Sequence, residues 1–272
     1  MKYSANSDCS ISPSSLKAKT TPPHEFSAAG HCRRCGKYHG LGAGNCRIAC
    51  LQLMELFTKQ NNISLSTQWN PNEANLSLTP LFGEERGKMF GVMECIDPHG
   101  AQLFLHALSG QFNGHWLVNG WAQPVFSPQS FAELNQDEEK KIKELGRRMI
   151  HVPERSAQWY ALRNERRTRS RNLMSKIHDL YHLTNFRGET RSLREVFQSE
   201  RGQNPPTGTG DCCAPKLLNQ AAIRGVTPIG ISEFFWGKDN RSGTRRHGQF
   251  YPSCREKCTP IMGFLLCGLE KD

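Results

Sequence analysis

The chain has 272 residues, 37% of them hydrophobic, with 35 Lys and Arg against 25 Asp and Glu, and 11 cysteines. That length holds one core plus an arm; with no apolar run of about 18 residues and no apolar centre in the opening "MKYSANSDCSISPSSLKAKTTPPHEF", a membrane helix and a secretory signal are excluded and a cytoplasmic protein is expected. Thiols stay reduced in such a compartment, so closely paired cysteines argue for metal over disulfides, and a formal charge of +10 argues for a polyanionic partner.

Residues 1–23, rich in Ser, Lys, Thr and Pro, read as a disordered leader. Residues 24–59 hold "HCRRCGKYHGLGAGNC", where Cys32, Cys35 and His39, with Cys46 or Cys50 beyond the Gly-rich turn, have the spacing of a structural zinc knuckle. Arg33, Arg34 and Lys37 flank it as candidate RNA contacts, although stapling the N-terminus is the simpler role. "GLGAG" follows no strand and lacks a Lys-Ser/Thr ending, so it is not a phosphate loop. A first helix is expected over about 46–59, with Ile48, Leu51, Met54, Glu55 and Leu56 on a mostly apolar stripe that packs inward.

In residues 60–128 the runs "GKMFGVMECID" and "GAQLFLHALSG", separated by "DPHG", predict a β-hairpin over about 88–96 and 101–108. Residues 129–204 change to helix. One helix over about 130–147 runs from acidic to basic, and a second runs from Pro153 to about His182, polar nearly all round and about 40 Å long. Between Arg155 and Lys176 seven basic residues face the single acid Glu165, the electrostatic footprint of a phosphate-binding arm, and no heptad repeat runs through it to favour a coiled-coil partner. Arg163, Arg166, Arg167, Arg169, Arg171 and Lys176 are the candidate RNA-binding residues.

Residues 205–272 hold two cysteine stretches, "TGTGDCCAPKLL" and "HGQFYPSCREKC", around the strand "VTPIGISEFFWG". A helix over about 212–224 ends at Gly225, and a last one starts at Pro260. Cys212, Cys254 and Cys258, at two helix N-termini that favour thiolates, would supply three ligands to one metal; the alternative is that Cys212 and Cys213 are buried packing residues and only Cys254 and Cys258 act. His247 is either a fourth ligand or a residue that orients substrate, and Asp211 can cap its helix. Cys95 and Cys267, in apolar surroundings, read as small buried hydrophobes.

A ligand-bearing helix, a strand, then a proline followed by two cysteines is the layout of zinc-dependent nucleobase deaminases. Two positions depart from it: three residues separate Cys254 from Cys258, and Ala214 stands two after Cys212 where those enzymes carry glutamate. "TGTGDCCAPKLL", "ISEFFWG", "RRHGQFYPSCREKCTPIMG", "GKMFGVMEC" and "ALSGQFNGHWLVNGWAQPVF" together resemble the amino-terminal portion of long bacterial proteins that end in a pseudouridine synthase domain, the tRNA C-to-pseudouridine editing enzymes. The resemblance covers about His24 to the end.

It implies an α/β fold: a cytidine deaminase-like three-layer core (helix, β-hairpin, helix, strand, helix) with a long helical arm inserted to hold tRNA and an N-terminal zinc knuckle. It also implies deamination of a cytidine in structured RNA, a tRNA anticodon loop being the expected site, with zinc as cofactor and iron as the alternative. The chain stops after the last helix, so the product is expected to stay uridine unless a separate pseudouridine synthase acts as partner. Glu233 is the candidate proton shuttle and Asp211 the next. Phe234, Phe235, Trp236 and Tyr251 are either a stacking wall for the base or core. The rival reading is a non-catalytic, metal-stabilised RNA-binding protein.

Overall fold

A computed structural model describes residues 26–65 and 76–270; the leader expected over 1–23 lies outside them. The strands β1 (Ala28–Cys32) and β2 (Lys37–Leu41) form an antiparallel hairpin with no counterpart in the sequence-based elements. Helix α1 (Cys46–Gln60) follows, then β3 (Lys88–Ile96) and β4 (Gln102–Leu108), paired antiparallel from Phe90–Leu108 to Ile96–Gln102 as the turn residues require. Helices α2 (Pro128–Ile150) and α3 (Ala157–Leu180) make up the arm. Beyond them lie the short hairpin β5 (His182–Thr184) and β6 (Thr190–Ser192), α4 (Leu193–Arg201), α5 (Cys213–Arg224), β7 (Thr227–Trp236), β8 (Phe250–Tyr251) and α6 (Thr259–Leu266).

The central sheet has the order β4-β3-β7-β8, with each neighbouring pair antiparallel. Side chains alternate across a strand, and each face of the sheet has its own core. Phe90, Val92, Phe234 and Trp236 face α1, where Phe57 meets the Phe90 ring at 4.8 Å and the Trp236 ring at 5.7 Å. Met93, Cys95 and Ile231 face α5, and the apolar faces of α4 and α6 extend the same cluster. The result is a mixed α/β fold, helix on sheet on helix. Among the described residues no helix is long and apolar enough to cross a membrane.

Helix α1 forms where the sequence predicts it but turns another face inward. Ile48 and Leu51 are 60% and 55% exposed, whereas Cys46, Cys50, Leu53, Met54 and Phe57 are buried. Two cysteines complete the inner stripe, and counting them as metal ligands hid their part in the apolar period.

The second arm helix starts at Ala157, with the Ser156 hydroxyl capping Trp159 N–H at 3.1 Å; Pro153 lies in the turn before it. Its 24 residues make it about 36 Å long. At its base Leu173 and Ile177 join the main core, and further out the Arg169 guanidinium binds Glu138 of α2 at 3.2 Å, tying the two helices together.

A candidate metal centre

Cys212 caps α5, Cys258 caps α6, and Cys254 lies in the loop that enters α6. That loop is pinned at both ends: Ser253 N–H donates to the Ser27 carbonyl at 2.8 Å, and the Cys258 and Thr259 N–H groups donate to the Cys254 carbonyl at 3.2 and 3.1 Å. The three sulfurs therefore converge, all within 4.8 Å of one another, with Cys254 Sγ 3.2 Å from Cys258 Sγ. A tetrahedral zinc–thiolate centre, with Zn–S of about 2.3 Å, needs sulfurs about 3.8 Å apart, so this donor set fits such an ion.

Thiol contacts from Cys212 and Cys258 hold Cys254 well below the usual thiol range. Contact with Cys254, together with burial, pushes the Cys212 thiol up, and contacts with Cys212 and Cys254, together with burial, push the Cys258 thiol up.

Glu233 lies on β7 beside this cluster. Its register partners are Gly91 on β3 and Tyr251 on β8, and its side chain turns to the α5 face, where Oε1 accepts the Ala214 N–H at 3.2 Å. The residue is 5% exposed. Burial pushes its carboxyl up to about 8; the charge on Cys254 acts in the same direction, and the Ala214 N–H acts against it.

Gly91 makes the approach of α5 feasible. A Cβ there would lie 2.8 Å from the Cys213 Cβ and 3.3 Å from the Glu233 Cγ. The Ala214 backbone thus holds a glutamate presented by the neighbouring strand.

Asp211 is engaged otherwise than as a helix cap: Cys212 takes the cap position with no side-chain hydrogen bond, and Asp211 Oδ1 accepts the Tyr181 hydroxyl at 2.8 Å. Burial raises its carboxyl, against the pull of Tyr181, Lys216 and Lys257. Lys216 is itself buried, its Nζ donating to the Leu108 and Gly110 carbonyls at 3.0 and 2.9 Å. Sequence reading passed over this lysine because one charge inside an apolar helix face carries no motif.

Other expected members of the site lie elsewhere. His247 is outside the sulfur cluster: its ring packs on Trp236 at 4.3 Å, and Nδ1 accepts the Gly237 N–H at 3.1 Å, so it closes a loop on β7. Phe234, Phe235 and Trp236 are buried, the first and last in the aromatic core around Phe57, which removes them as a base platform. Tyr251 alone of the four is half-buried, opposite Glu233, with the Arg245 guanidinium 4.3 Å from its ring.

The N-terminal knuckle keeps three of its expected ligands and changes the fourth. Cys32, Cys35 and His39 converge with Cys267, all donor atoms within 4.8 Å. Cys46 is buried away from them with its sulfur accepting Glu94 N–H at 3.2 Å, and the Cys50 thiol faces the Ser232 carbonyl at 3.5 Å. Cys267, expected as a plain buried hydrophobe, belongs to this second cluster; Cys95 is buried in the core as expected.

Along the arm Arg163, Arg166, Arg167, Arg171 and Lys176 are exposed. Arg169 is half-buried and held by Glu138 and Glu165, both at 3.2 Å, so its charge is spent within the hairpin. No protein-family model matches the chain, and neither a curated protein nor a solved structure does.

Proposed function

We propose that the chain is a metal-dependent hydrolytic deaminase that converts cytidine to uridine in structured RNA, with a tRNA anticodon loop as the substrate. The observation that carries this reading is a buried, protonatable carboxyl, Glu233, set at the mouth of α5 beside three convergent thiols and held there by Ala214 N–H. A carboxyl that titrates near neutral pH is what a proton shuttle requires.

Cys212, Cys254 and Cys258 would hold zinc or iron, and an ion with three protein ligands and one open position supplies the Lewis acidity that brings a water's pKa near neutrality. Glu233 accepts the water's proton on Oε2, the oxygen not bound to Ala214, and returns it to the amino group at C4 of cytosine. The water oxygen bonds to C4, its second proton passes to N3, the C4–N bond breaks and ammonia leaves, so that uridine remains and one water is consumed. Tyr251, on the same side of the sheet as Glu233, offers a ring against which an unstacked base can lie.

Structured RNA follows from the arm, whose exposed cations suit a phosphate backbone and leave the core free for chemistry. A loop cytidine enters such a site without breaking a base pair. The test is sequencing of tRNA from a host expressing the chain or its Cys254→Ser variant. A site-specific C-to-T change in reads with the intact chain, lost with Cys254→Ser, is the expected result; the same change with both chains would overturn the assigned site.

A further inference from the structure

We infer that Cys32, Cys35, His39 and Cys267 form a second, closed metal site, a four-ligand zinc staple tying the C-terminal end of α6 to the β1–β2 hairpin. Each half is built for it. In the hairpin, Cys32 ends β1, Cys35 lies in the turn and His39 lies on β2, with Cys35 Sγ 3.0 Å from His39 Nε2. The Gly36 N–H closes the turn on the Cys32 carbonyl at 2.8 Å, which sets Cys32 and Cys35 on either side of one tight turn.

The fourth donor comes from the far end of the chain. Cys267 is the C-cap of α6, fully buried, and its carbonyl is fixed by the Phe186 N–H at 3.0 Å. Gly30 and Gly263 face each other where β1 crosses α6, and a Cβ on either would collide with the other's backbone neighbourhood, so helix and hairpin are in backbone contact. Three sulfurs and one imidazole, with no position left for water, are the ligand set of a structural rather than a catalytic zinc.

The same helix thereby carries a ligand of each cluster, Cys258 at its start and Cys267 at its end. This staple does not depend on the deaminase reading, since none of its ligands belongs to that site.

The test is zinc and iron content of the purified full chain by mass spectrometry. Two metal ions per chain, at least one of them zinc, are expected for the unaltered protein and for Cys46→Ser; Cys267→Ser should lose one zinc, and Cys254→Ser should keep one zinc as its single ion. Two ions retained in Cys267→Ser, or one in Cys46→Ser, would overturn the ligand set. Should Cys267→Ser fail to fold, X-ray absorption on Cys254→Ser decides: three sulfurs at about 2.3 Å and one nitrogen at about 2.0 Å are expected, and a zinc-free protein or another shell refutes the staple. Failure of the deaminase reading alone would leave the zinc of Cys254→Ser in place.

Discussion

Glu233 and His178 show how burial sets the chemistry of single residues here. His178 is buried at the foot of the arm, and desolvation lowers its imidazole to about 4, with Asp179 acting against the shift and Arg194 with it. The Tyr181 ring lies edge-on to it, 6.3 Å away. The unfolded histidine takes its proton near pH 6.5 while the folded one stays neutral until about 4. Stability is therefore lost as pH falls through that window, by up to about 1.4 kcal/mol per pH unit. Urea unfolding at pH 6.5 and 5 should show the unaltered chain losing this much relative to His178→Leu; a pH-independent difference would contradict the assignment.

At this scale the convergence of three thiols was legible, because cysteines at helix starts behind Gly-rich or Pro-containing loops are a local pattern. Glu233 was legible only by its strand. Its contact with Ala214 is a tertiary fact. That His247 lies outside the cluster was not legible, because nearness in sequence to Cys254 said nothing about the turn that sends its ring onto Trp236.

Among the elements, α6 has the largest consequence. Eight residues long and almost wholly buried, it joins two candidate metal clusters, so loosening one end moves a ligand of the other. Removing the Cys267 thiol should speed chelator extraction of metal from the Cys212, Cys254 and Cys258 cluster by roughly tenfold, the scale at which groups supporting a ligand act. Stopped-flow extraction from Cys267→Ser reads this directly, and an unchanged rate would show that α6 is held by packing alone.

The hairpin β3–β4, α5 and β7 were readable from turn residues, a glycine stop and a β-rich run. Helix α4 was also within reach: its start, "SLRE", forms a capping box in which the Ser192 hydroxyl accepts Glu195 N–H at 3.2 Å and the Glu195 carboxylate accepts Ser192 N–H at 3.0 Å. The reach of Cys267 to Cys32 was not, since no local pattern marks a ligand supplied from the other end of the chain.

For the whole molecule, two apolar clusters hold the sheet and helices that position the thiols and Glu233, while the exposed Arg163, Arg166, Arg167, Arg171 and Lys176 lie on α3 of the arm. Reversing Arg166, Arg167 and Arg171 to glutamate should weaken tRNA binding by at least roughly tenfold at low salt and flatten its salt dependence, because fewer counterions are released. Metal content should not change. Equal affinity for the variant and the unaltered chain would move the RNA-binding surface off the arm.

The most direct measurement pairs metal content with deamination of tRNA cytidine for the purified chain and its Glu233→Gln variant, which keeps size and loses the proton carrier. The account predicts equal metal and a rate lower by roughly 10²- to 10⁴-fold in the variant. Undiminished deamination by Glu233→Gln would contradict the central claim that this carboxyl moves the proton.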